Sequence, residues 1–155
     1  LASPLRDVYK RQLTLSKIKL QEKDYPKALD IWERSVIATH DFLKENDRLQ
    51  LKTEIPTYFQ YVESHLWFEN EEVVGFSGIN ESNLEMLFLD PKYFRKGYGT
   101  EILQTLIREH KVQYVDVNKD NPNAVAFYIK NGFKKYGESP KDAQGRNYPI
   151  LHLKL

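Results

Sequence analysis

The sequence predicts an α/β (α+β) fold in which a mixed, mostly antiparallel central sheet of about seven strands is flanked by about four helices. Three observations lead there. Apolar residues recur at helical spacing through Ala28, Leu29, Trp32 and Val36, and again through Ile102, Leu103, Leu106 and Ile107. Between these stretches, from His65 to Leu89, the period changes to two. The resulting order is strand, two or three helices, three antiparallel strands, helix, strand, helix and two strands, with helices placed to carry a parallel crossover.

Leu13, Leu15, Ile18 and Leu20 alternate imperfectly and suit a first strand with a bulge after Leu15. Asp24 offers a helix N-cap and Pro26 fits a first turn, so the first helix spans Tyr25 to Thr39. Asp41 is placed to cap a second short helix. Leu49, Leu51, Ile55, Tyr58, Phe59 and Val62 mark a further helical stretch, with Pro56 near a break. Leu66 to Phe68, a polar turn at Asn70-Glu71-Glu72 and Val73 to Ile79 read as a hairpin. Asn80 to Asn83 turns the chain again. Leu84 to Leu89 is a strand stopped by Asp90-Pro91, because proline cannot donate to a sheet ladder. A helix begins near Gly97, a strand covers Val112 to Val117, and a helix from Ala124 to Lys130 closes at Asn131-Gly132. The last hairpin has Phe133 to Tyr136 and Tyr148 to Leu155 as arms and Gln144-Gly145-Arg146 in its connection.

With 155 residues and 41% hydrophobic content, the chain is the size of one domain that buries a core without disulfides or metals. Residues 13–155 are read as that domain. Leu1 to Gln12 shows neither period and the only methionine is Met86, so the first twelve residues are read as a non-native or disordered tail. The lack of cysteine excludes a disulfide framework, a thiol nucleophile and a thiolate metal site, and a cytoplasmic location is expected. The 23 basic and 22 acidic residues nearly cancel. Neither nucleic acid nor a membrane is therefore expected as a partner, although Lys134, Lys135, Lys141 and Arg146 cluster, and any anion site must be local. His40, His65, His110 and His152 include no i,i+4 pair, so no metal site is expected.

The most informative stretch runs from Leu87 to Thr100. Lys96-Gly97-Tyr98-Gly99-Thr100 lies between a strand and an amphipathic helix. A helix N-terminus presents unpaired N–H groups and a partial positive charge, and glycine lets an anion approach the backbone. Arg95 and Lys96 add charge and Thr100 a hydroxyl. An ordinary loop-to-helix turn would use the same glycines. A dinucleotide fingerprint would need a third glycine where Ile102 stands, and a P-loop would need G-K-[ST].

Leu87-Phe88-Leu89-Asp90-Pro91, Arg95-Lys96-Gly97-Tyr98-Gly99 and Asn121-Pro122-Asn123-Ala124-Val125-Ala126-Phe127-Tyr128, ending in Asn131-Gly132-Phe133, resemble the motifs of the GNAT superfamily of N-acetyltransferases. Ile31-Trp32, Ser35-Val36, Ala38 to Leu43 and Tyr148-Pro149 resemble its small bacterial YjaB-like members. One departure is Phe94, where the family's phosphate loop usually opens with Gln or Arg. The resemblance implies the GNAT (acyl-CoA N-acyltransferase) fold and acetyl-CoA as co-substrate. It also implies direct transfer of the acetyl group to a primary amine of a small molecule or a protein, by a monomer or homodimer. It places Leu87, Phe88 and Leu89 along the pantetheine, with the Leu87 N–H facing the thioester oxygen. Arg95 to Thr100 take the pyrophosphate, and Asn121, Ala124, Phe127 and Tyr128 complete the coenzyme site. Trp32, Thr39, His40, Asp41 and Phe42 resemble the region that walls the acceptor. The alternative is a non-catalytic acyl-CoA-binding or regulatory module on the same fold.

The transfer needs an uncharged amine, a polarised carbonyl and a proton for the departing thiolate. A lysine-like amine, with an ordinary pKa of about 10.4, must lose a proton, and Glu85 and His40 are the candidate bases. Tyr128 stands at the family's usual acid position. Its plain alternative is an aromatic helix residue in the core, as Asn121's is a helix cap and Trp32's is core packing.

Overall fold

The computed structural model describes residues 14–155; the tail expected over Leu1 to Gln12, and Leu13, lie outside the described residues. Within them the chain runs β1 (Leu15–Lys19), α1 (Tyr25–Thr39), α2 (Glu45–Tyr58), β2 (Glu63–Glu69), β3 (Glu72–Asn80), β4 (Asn83–Leu89), α3 (Tyr98–His110), β5 (Tyr114–Asn118), α4 (Pro122–Lys130), β6 (Lys134–Ser139) and β7 (Ile150–Lys154). Single 3₁₀ turns precede α1 and follow β4. The strands form one sheet in the order β1-β2-β3-β4-β5-β7-β6. Every pairing is antiparallel except β4 with β5. This is the mixed sheet with four flanking helices that the periodicity predicts.

Alternation sends each strand's apolar residues to two separate cores. On one face Leu66 and Phe76 pack with Ala28, Ile31, Trp32 and Val36 of α1 and Ile55 of α2. On the other, Trp67, Val74, Leu84, Val115, Val117, Leu151 and Leu153 pack with Ile102, Leu103 and Leu106 of α3 and Tyr128 of α4. Two bulges adjust these faces. The β2–β3 register shifts after Trp67, leaving Val74 as the extra residue, and the β3–β4 register shifts after Gly78, leaving Glu85 as the extra residue on β4.

Several expectations are corrected. No bulge follows Leu15, since β1 pairs in unbroken register from Leu15↔Glu69 to Lys19↔His65; the imperfect alternation is that of an edge strand with Ile18 exposed. Asp24 makes no side-chain cap to α1 and accepts from the Gln21 N–H at 3.0 Å, because a 3₁₀ turn runs straight into the helix and moves the capping position back by a turn. No second short helix starts at Asp41, which lies in a turn. One continuous α2 replaces the two expected segments, and it accommodates Pro56 in its last turn, where a single lost hydrogen bond is tolerated.

Candidate active site

Where β4 and β5 run parallel, they pair only at Asn83↔Tyr114 and Leu84↔Val115. Beyond Leu84 the two strands part. The Asp90 N–H donates to the Val74 carbonyl at 2.9 Å, in a register that also pairs Phe76 with Phe88. Donor direction alternates along an antiparallel strand. Phe88 and Asp90 therefore aim their N–H groups at β3, and Leu87 and Leu89 aim theirs at the edge that β5 has left. That edge holds free donors beside a gap.

The chain then turns at Asp90, whose carboxylate accepts from the Lys92 N–H at 3.2 Å. Arg95 (φ 59°) and Gly97 (φ 89°) both adopt left-handed backbone before α3 begins. Glu101 is the first residue to donate into the helix, to the Gly97 carbonyl at 3.1 Å. From Arg95 to Thr100 no backbone N–H has a protein acceptor among the described residues. Six consecutive donors at a helix N-terminus, beside the exposed Arg95 and Lys96, make an anion cradle. Phe94 adds no donor. Gly99 lies against α4, where a Cβ would sit 3.4 Å from the Phe127 ring.

Helix α4 is capped by Asn121, whose Oδ1 accepts from the Ala124 N–H at 3.2 Å. Tyr128 is buried between Phe127 and Phe133, and burial pushes its phenol well above the ordinary value. Its hydroxyl has no hydrogen-bond partner among the described residues and is not sealed from solvent. The acid form is the one this environment favours.

On the α1–α2 side, Thr39 donates its hydroxyl hydrogen to the Ser35 carbonyl at 2.8 Å. The 2.7 Å contact with His40 must then run from the His40 Nδ1–H, which leaves the lone pair on Nε2. Burial lowers the His40 pKa to about 4 against the smaller opposing effect of Asp41. His40 is thus neutral at pH 7 and a weak base. Its ring lies tilted 5.1 Å from that of Phe42, which meets Tyr148. Tyr148 donates to Asp47 and accepts from the Lys44 N–H, while Arg146 reaches Glu54 at 3.4 Å, so the β6–β7 connection folds over α2. Trp32 is only 4% exposed and packs in the core behind this wall.

A second cluster was not foreseen. Asp116, between the core residues Val115 and Val117, projects to the face that α1 and α2 flank. Its carboxylate accepts from His152 Nδ1 at 2.7 Å, and His152 Nε2 accepts from the Ser139 hydroxyl at 2.7 Å. The three residues come from β5, β7 and β6, adjacent only in the folded order. Each sits at a polar position in an alternating strand, but linking them requires knowing that β7 inserts between β5 and β6.

Residues 20–133 match the Acetyltransferase (GNAT) family. The chain belongs to that family. It is 35% identical over 130 residues to the peptidyl-lysine N-acetyltransferase YjaB of Salmonella typhimurium, covering 82% of this chain and 88% of the relative. The YjaB of Escherichia coli is 36% identical over 126 residues, 79% and 84% of the two chains. The solution structure of apo YjaB from Escherichia coli superposes with a TM-score of 0.82 at 30% identity, over 91% of this chain and 97% of that one. A Salmonella typhimurium acetyltransferase fold, yncA with acetyl-CoA, gives a TM-score of 0.66 at 16% identity over 92% and 93%.

As a GNAT acetyltransferase, the chain is an N-acetyltransferase in which the end of β4 and the N-terminus of α3 lie in one continuous run from Leu87 to Thr100. The fold brings Leu87, Leu89, Gly99 and Phe127 to one side of the sheet, packed against α3 and α4. Glu85 sits exposed at the β4 bulge, one residue past the last β4–β5 pair. No helix among the described residues is long and apolar enough to cross a membrane.

Proposed function

We propose that this acetyltransferase moves the acetyl group of acetyl-CoA to the side-chain amine of a lysine in a protein, by direct attack in a ternary complex. The observation that carries the reading is the pair of N–H groups that Leu87 and Leu89 aim away from β3, followed by the six of Arg95 to Thr100 that have no acceptor among the described residues. Amides from Arg95 to Thr100 bind the pyrophosphate, with Arg95 supplying the charge that Phe94 does not. The pantetheine lies along Leu87, Phe88 and Leu89 against Asn121, Ala124 and Phe127. The lysine acceptor is supported by the similarity to YjaB proteins of that activity.

The amine nitrogen attacks the thioester carbon, and the Leu87 N–H holds the developing oxyanion. As the C–S bond breaks, Tyr128 gives its proton to the thiolate. A buried phenol is a weak acid, but the same loss of water raises the basicity of the thiolate, so the transfer stays matched. The amine's proton passes, directly or through water, to Glu85 or to the Ser139–His152–Asp116 chain. His40, neutral and poorly basic, helps Thr39, Asp41 and Phe42 wall the acceptor, with Trp32 behind them.

Mixing the protein with acetyl-CoA and lysine-containing peptides, and following free thiol together with peptide mass, tests the reading. Thiol released in step with acetylated lysine is expected. Tight coenzyme A binding without thiol release would leave the acyl-CoA-binding module as the better account.

A further inference from the structure

Glu63, His65 and His110 converge where the start of β2 meets the end of α3. Glu63 Oε1 is 3.5 Å from His110 Nδ1 and 3.9 Å from His65 Nε2. One ligand atom from each residue lies within 4.8 Å of the others, and the two rings are 5.3 Å apart. Among the described residues neither nitrogen of His65 has a hydrogen-bond partner, and Nε2, 3.9 Å from the Glu63 carboxylate, is the one that faces the cluster. A buried imidazole nitrogen that faces a carboxylate and a second imidazole without a hydrogen bond is open to a ligand.

We propose that Glu63, His65 and His110 bind one divalent transition-metal ion of the zinc class, with water as the fourth ligand. Two imidazoles and a carboxylate suit zinc, whereas magnesium and calcium prefer oxygen alone. Tetrahedral ligands at about 2.0 Å from zinc stand roughly 3.3 Å apart, so small rotations of the exposed Glu63 and of His110 close the set. Burial lowers the His65 pKa and so keeps the ring in its neutral, ligating form. The carbonyl end of α3, which His110 terminates, favours a cation. Lys17 and Lys19, from β1, are the opposing charges; Lys17 is held by Glu109 at 3.5 Å. The ion would fasten the far end of the helix whose N-terminus cradles the coenzyme.

The tag-free chain has four histidines and no cysteine, so binding is assigned cleanly. Equilibrium dialysis against zinc and titration with cobalt(II), read by tetrahedral absorption, form the experiment. One equivalent is expected, weakened about tenfold or more in His110→Ala and in Glu63→Gln and unchanged in His152→Ala. His110 and Glu63 are partly exposed, so both variants should keep the wild-type far-ultraviolet dichroism. Equal binding by His110→Ala and the wild type overturns the site, as does loss of binding in His152→Ala alone, which would assign the ion to Asp116 and Ser139.

Discussion

Arg34 grips Asp90 through two hydrogen bonds of 2.8 Å, and so ties α1 to the corner where β4 gives way to the loop that opens α3. The Asp90 carboxylate is almost fully buried, while Arg34 is partly exposed and also reaches Asp30 at 2.9 Å. Arg34 holds the Asp90 carboxyl below its ordinary range, ahead of the opposing effect of burial. A depressed acid stabilises the fold above its unfolded pKa of about 3.9 and ceases to as pH falls through the folded value. Asp90→Asn should cost about 2 kcal/mol in urea unfolding at pH 7, with the difference from wild type shrinking below about pH 4. A constant difference across that range would remove the ion pair as its cause.

The Arg34–Asp90 pair also shows what spacing along a chain leaves out. The sheet was legible because a period of two returns on each side of the turns between His65 and Leu89, and α1 and α3 because apolar residues such as Trp32 and Leu106 recur at helical spacing. The loop into α3 was legible because Gly97 and Gly99 follow a strand that Pro91 ends. Contacts across 56 residues, as from Arg34 to Asp90, or across three strands, as in Ser139–His152–Asp116, carry no local signal. Asp24 and Asp41 misled for a related reason: a side chain able to cap a helix is equally at home in a turn. Glu85 was visible as a strand carboxylate, but its place as the extra residue of a bulge depends on a register that only β3 can set.

Gly97 carries a φ of 89°, which an L-residue adopts only with strain. Gly97→Ala should destabilise the fold by about 1 kcal/mol, and should tilt the amides of the cradle enough to weaken coenzyme A binding by about tenfold or more. Calorimetric titration beside thermal unfolding separates the two effects. Coenzyme A binding at wild-type strength by the folded variant would show that these amides do not hold the pyrophosphate.

His40 gives the fold a pH dependence of opposite origin to that of Asp90. Its folded pKa of about 4 lies below the ordinary value near 6.5, so the unfolded chain binds the extra proton between them. Stability should therefore be complete above about pH 6.5 and decline as pH falls toward 4. In His40→Asn that decline should flatten, as read from urea midpoints at intervals across the window. An unchanged slope would mean that the ring is already protonated in the folded protein.

Tyr128 is the sharpest test of the proposed chemistry, because its ring packs with Phe127 and Phe133 while its hydroxyl has no hydrogen-bond partner among the described residues. Tyr128→Phe keeps the packing and removes only the acid. Thermal stability should move by less than about 0.5 kcal/mol, and kcat should fall about 100-fold with coenzyme A affinity intact. A second variant, His152→Gln, should also lower kcat with coenzyme A affinity intact, because it removes a proton acceptor held by Asp116 and Ser139. If Tyr128→Phe keeps the wild-type kcat, the phenol is not moving a proton, and the departing thiolate must take its proton from another group or from water.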